Sequence, residues 1–113
     1  MATSGNYNLI KSGLDPNPRR TFDATGYAGD TKPRRLCPHV LGYKKAGSGE
    51  TPGNERVLCW QLIGPGTNPG WRCYKVNDLV GLAVNTAVPW QMGTDYSKDH
   101  NCAKKEKFQV PYP

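Results

Sequence analysis

Apolar residues recur in short runs with a period of two. The run at 56–63 is the clearest, with Leu58, Trp60 and Leu62 on one face of a strand. Residues 34–44 repeat the pattern through Leu36, Pro38 and Val40. Pro38 has no N–H to give a ladder, which places it at an edge, a bulge or a strand end. Residues 71–76 return after the run Gly64-Pro65-Gly66-Thr67-Asn68-Pro69-Gly70, so 56–63 and 71–76 make a hairpin.

Weaker signals flank these three strands. Residues 21–27 read as a strand with Phe22 and Ala24 on one face, followed by a turn at 28–33. Residues 46–54 read as a flexible hairpin loop. Residues 77–80 suggest a short helical turn, and strand character resumes at 81–84. Residues 85–101 hold no period. A last strand starts near Cys102 and puts Phe108 and Val110 on one face. At the start, Leu9, Ile10 and Leu14 form a turn of amphipathic helix, ended by Gly13 and Asp15-Pro16-Asn17-Pro18; a loosely ordered arm is the equal alternative.

Five or six short antiparallel strands at regular spacing predict a mostly β domain, a small SH3-like or Sm-like barrel. It occupies 21–113, behind a short N-terminal helix or arm at 1–20. Composition agrees. With 113 residues there is room for one core, and 13 Gly, 10 Pro and only 36% hydrophobic residues favour a core held between many turns.

The net charge of +6 favours anionic partners, nucleic acid or nucleotide among them, but also serves solubility. No apolar run reaches the roughly 20 residues that span a bilayer, so no membrane partner is expected. The first residues lack the basic and apolar regions of a secretory signal. A cytoplasmic location is therefore expected, with the four cysteines mostly reduced thiols.

Arg72-Cys73-Tyr74-Lys75-Val76-Asn77-Asp78-Leu79 resembles the segment of WYL domains that reads Arg-x-aromatic-Arg-hydrophobic-Asp-Arg-Ile. Pro38-His39-Val40-Leu41-Gly42-Tyr43 is similar to the strand before that family's naming triplet, and Val57-Leu58-Cys59-Trp60-Gln61-Leu62 stands in the triplet's place. The Trp-Tyr-Leu triplet itself is absent, Asp78 stands where the family has arginine, and no winged helix precedes the barrel. The resemblance covers roughly residues 20–85. It implies an SH3-like or Sm-like barrel and a regulatory ligand-sensing module, with nucleic acid or nucleotide as ligand.

Arg72 and Lys75 are the candidate phosphate contacts, although an ideal strand puts them on opposite faces unless one sits at a bulge or strand end. Arg34 and Arg35, with Lys44 and Lys45 at the far end of their strand, widen the basic surface or protect an edge. Trp60, Trp71 and Tyr74 are stacking platforms or core, and Tyr27 and Tyr43 are equally ambiguous. Six residues form the candidate ligand site: Arg72, Lys75, Trp71, Tyr74, His39 and Arg35.

Cys37-Pro38-His39 and His100-Asn101-Cys102 are mirror-image pairs, each placing two ligand types on one face of a strand. Brought together, Cys37, His39, His100 and Cys102 would make a structural zinc site. The alternative is a hydrogen-bonded structural His39, an exposed His100 and buried cysteines. Cys59 and Cys73 on the hairpin are either a cross-strand disulfide or paired thiols.

No Ser-His-Asp order, phosphate-binding loop or dinucleotide glycine pattern is present, so no enzymatic activity and no cofactor are expected. The first functional reading is a non-enzymatic binding or regulatory module for an anionic ligand. The second is a structural or protein-interaction module, with zinc stabilisation as a variant.

Overall fold

Strand β3, Arg34–Tyr43, is the axis around which the chain is built. In this computed structural model, which describes residues 4–14, 19–44, 52–97 and 100–112, β4 (Glu55–Ile63) pairs antiparallel along its whole length. β5 (Gly70–Lys75) follows as a hairpin on β4. The other edge of β3 takes two partners in turn. β1 (Thr21–Ala24) pairs with its first residues, and β8 (Lys105–Gln109) with its last. β7 (Ala83–Asn85) extends the sheet beyond β1. A separate ribbon joins β2 (Gly26–Tyr27) to β6 (Leu79–Val80). Among the described residues the path runs β5-β4-β3-β1-β7, with β8 beside β1 on the same edge of β3. Among the described residues the protein is mostly β and antiparallel, with one short α-helix.

β3 changes face in its middle. Its register passes from Pro38 opposite Cys59 to Val40 opposite Leu58, which leaves His39 as the extra residue of a β-bulge. Pro38 lacks the N–H that a regular ladder would use there. One inserted residue inverts the alternation that follows. Leu36 therefore shares a core with Leu41 and Tyr43, and Val40 belongs to the opposite one. This corrects the expectation that Leu36 and Val40 lie on one face.

Both faces of the central sheet are covered, so β4 is buried almost throughout rather than alternating. On one face Tyr7 and Ile10 of the helix α1 (Gly5–Leu14) pack on Leu36, Leu41, Val57 and Cys59. On the other, the segment after β7 folds back and lays Tyr96, Cys102, Ala103 and Val110 on Val40 and Leu58. Each fully buried side chain of this size contributes about 1.5–3 kcal/mol.

The N-terminal segment is a helix rather than a loose arm, and it starts earlier than its apolar residues suggest. Ser4 is its N-cap, with Oγ accepting the Tyr7 N–H at 3.1 Å. The buried carboxylate of Glu55 in turn accepts the Ser4 N–H at 3.0 Å and the Ser4 hydroxyl. That is the reciprocal bond of a capping box, supplied from the start of β4 instead of the helix itself. The expected stop at Asp15-Pro16-Asn17-Pro18 lies outside the described residues, as does most of the 46–54 loop. The helix rests so close to β1 that a Cβ on Gly13 would stand 2.5 Å from the Phe22 ring.

The cysteines also correct the expectation of reduced thiols. Cys73 of edge strand β5 is bonded to Cys102. Cys37 and Cys59 are free and buried. Cys59 cannot reach Cys73, because the register sets Cys59 opposite Arg72 and Cys73 opposite Leu58. No helix among the described residues is long and apolar enough to cross a membrane.

Candidate functional site

The register of β5 against β4 is unbroken from Gly70 to Lys75. Trp71, Cys73 and Lys75 therefore face one way, and Arg72 and Tyr74 the other. Arg72 and Lys75 do not converge. The Arg72 guanidinium donates to the carbonyls of Trp71 and Thr67, each at 2.8 Å, and of Pro65 at 3.3 Å, which pins the turn before β5. Lys75 is exposed at the strand end.

Tyr74 is buried, so its ring is core rather than a stacking platform. Its hydroxyl donates to Gln61 Oε1 and accepts from Arg34 Nε at 3.2 Å. Arg34 is itself buried, bidentate to Asp30 with both bonds at 2.9 Å, and lies over the rings of Tyr27 and Tyr74. The bonds from Arg34 hold the Asp30 carboxyl well below the usual carboxylate range. Arg35 pairs with Asp23 at 2.9 Å. Both arginines of this strand are thus neutralised locally.

His39 is wholly buried in an aromatic cage. Its ring centroid lies 4.5 Å from Trp90, 4.8 Å from Trp71 and 4.9 Å from Tyr96. Nδ1 lies 2.8 Å from the Cys37 carbonyl, and Nε2 accepts the Gly93 N–H at 3.1 Å. These partners fix the neutral tautomer with the proton on Nδ1. Burial pushes the imidazole pKa down to about 4, against a smaller upward pull from the Cys37 carbonyl. Trp60 stacks edge-on against Trp71 on the same side. Trp90 and Tyr96 stand in the stretch without periodicity, where no pattern announces them.

The four-ligand metal set does not assemble. Cys102 is bonded to Cys73, both His39 nitrogens are engaged, and Cys37 Sγ lies buried at 3.9 Å from Thr21 Oγ1. In this oxidised state no group of three or more His, Cys, Asp or Glu among the described residues is arranged to hold a metal ion.

Two surface features do assemble. The first is a cleft of about 330 Å³ lined by Leu58, Trp71, Arg72, His100 and the Cys73–Cys102 disulfide. His100 is half-buried, with both ring nitrogens enclosed and without a hydrogen-bond partner. Burial, and then the charge of Lys107, lower its pKa.

The second is a basic end of the sheet. Gly42, Arg56 and Lys75 lie directly opposite one another across β3, β4 and β5. Beyond Gly42, β8 carries Lys105 and Lys107; a Cβ on Gly42 would come within 3.3 Å of the Lys107 Cα. The lysines at 104–107 are visible in the sequence, but only the register brings them to the same end as Lys75.

Comparison of the chain with protein-family models, with curated proteins and with solved structures finds no match.

Proposed function

We propose that the chain is a non-enzymatic binding module for a polyanion, single-stranded nucleic acid in the first instance, held along the basic end of the sheet. The observation that supports it is the register that brings exposed Lys75 of β5 to the same end of the sheet as exposed Lys105 and Lys107 of β8. Between them the Arg56 guanidinium is buried and donates to the carbonyls of Gly53 and Glu55, each at 2.9 Å, so it adds positive charge behind the lysines rather than a contact. Lys107 and Lys105 on β8 extend the row to a span of about 15 Å across four strands. Lys75 keeps the role expected of it, while the β8 lysines replace Arg72 and Arg35 as phosphate contacts. The SH3-like barrel that the resemblance to WYL domains implies belongs to the same proposal. Its natural centre is β3, which serves β4 on one edge and both β1 and β8 on the other.

The test is fluorescence anisotropy of a labelled single-stranded oligonucleotide at increasing salt. Three phosphate contacts predict a log–log slope of about −2, and K75Q with K107Q should flatten it by about 1.4. Affinity indifferent to salt, or unchanged in the double variant, would overturn the reading. A protein-interaction module is the second reading, favoured by the outer edge of β5, which pairs with no strand among the described residues.

A further inference from the structure

The cleft beside the disulfide holds three side chains that the basic row does not use. Cys73 is exposed on β5, Cys102 is buried, and their Cα atoms are 5.5 Å apart. His100 stands two residues before Cys102 and lines the same cleft. Its two ring nitrogens are enclosed, and neither has a hydrogen-bond partner. A buried polar atom left unmet carries a desolvation cost, which a partner at one of these nitrogens would relieve. The other histidine, His39, has both nitrogens satisfied.

We propose that the reduced chain binds one zinc ion in this cleft through Cys73, Cys102 and one ring nitrogen of His100, leaving the fourth position for water or a ligand. Two thiolates and an imidazole are the donor set that zinc takes, and three protein ligands with one open position is the pattern of its exchangeable sites. At Zn–S distances of about 2.3 Å, two sulfurs on a tetrahedral ion stand roughly 3.8 Å apart. Side chains on Cα atoms 5.5 Å apart reach that separation by rotation about χ1. The cleft, at about 330 Å³, has room for the ion and its water.

The disulfide occupies both sulfurs, so the site exists only after reduction. A dithiol reductant supplies two electrons and two protons to the Cys73–Cys102 bond and leaves as its own disulfide. Zinc(II) then displaces both thiol protons to solvent as the Zn–S bonds form. One nitrogen of neutral His100 gives its lone pair, and the other keeps its proton. Disulfide and zinc are alternative fastenings of the same segment to β5, selected by redox state.

The experiment uses the full chain in both states, oxidised and reduced with a phosphine that does not itself bind as a thiol. Zinc uptake is read against a chromophoric chelator, and cobalt(II) serves as the spectroscopic probe. One ion per reduced chain and none per oxidised chain is expected, with a thiolate-to-cobalt charge-transfer band. H100A should weaken binding about tenfold or more while leaving the circular dichroism unchanged. C73S/C102S should abolish the band. A reduced chain that takes no zinc, or an H100A chain that binds as tightly as wild type, overturns the proposal. A band that persists in C73S/C102S also overturns it and assigns the metal to Cys37 and Cys59. Should the double variant not fold, the wild-type stoichiometries and H100A decide.

Discussion

The Nε2 of His39 accepts the backbone N–H of Gly93 at 3.1 Å, across 54 positions of sequence. The bulge makes this bond available. It lifts His39 out of the ladder between β3 and β4, so its ring turns into the aromatic cage and its carbonyl accepts the Val110 N–H at 2.8 Å. One unpaired residue therefore fastens both the irregular segment around Gly93 and the C-terminal strand.

His39 should make stability depend on pH. Its folded pKa of about 4 lies below the ordinary 6.5, so the unfolded chain takes up the proton first as pH falls. The contribution is complete above pH 6.5, declines down to about pH 4 and is level below. It amounts to about 3 kcal/mol. Urea unfolding at pH 7.5, 5.5 and 4.5 measures it. H39Q should lose most of the decline; a remaining slope of the same sign reports His100, whose pKa is also lowered, and at the acid end Asp23 and Asp30, whose carboxyls are lowered too. An unchanged decline in H39Q would show that His39 is not the titrating group.

Gly93 admits no side chain. A Cβ there would sit 2.5 Å from the Trp71 ring and 2.7 Å from Trp60. G93A should cost about 1–3 kcal/mol by forcing those rings apart. The near-ultraviolet circular dichroism should change with it, because Trp71 also packs on His39 and Tyr96. A variant of wild-type stability would mean that the 90–96 segment moves aside freely.

The hydroxyl of Tyr74 joins Arg34 to Gln61 inside the fold. Y74F keeps the ring and removes that link, leaving Gln61 Oε1 without its donor. The expected cost is about 1–3 kcal/mol, measured as a lower urea midpoint at unchanged slope. Oligonucleotide affinity at the basic end should not change.

Reduction should weaken the fold. Cys73 and Cys102 are 29 positions apart, and closing a loop of that size in the unfolded chain is worth about 3–4 kcal/mol. Unfolding in the presence of a phosphine reductant should show that loss, and zinc added to the reduced chain should restore part of it. Equal stability of the two redox states would mean that the segment around Cys102 is held without its covalent link.

The strands were legible because β3, β4 and β5 carry β-branched and aromatic residues between strong turn signals, and their limits fall within a residue or two of expectation. The placement of faces was not. A period of two carries Leu36 to Val40 only if the ladder is regular, and one bulge at His39 breaks it. The site was legible in part. Lys75 is exposed as a strand-end lysine should be, and Trp71 lines a cleft. Arg72, Arg35 and Tyr74 form bonds within the fold that only the tertiary structure reveals. The pairing of Cys73 with Cys102 was equally out of reach, since it depends on how an aperiodic stretch folds back over β5.

The divided edge of β3 has a consequence for synthesis. Residues 34–36 find β1 already made, but 40–43 wait for β8, more than sixty residues later. While the ribosome makes the intervening chain, β4 can cover one edge of β3 but the edge that β8 will take at 40–43 stays open, and Cys73 awaits Cys102. A nascent chain stalled before residue 102 thus presents a bare apolar edge and an unclaimed thiol. In that interval it is most open to mispairing with a neighbouring copy.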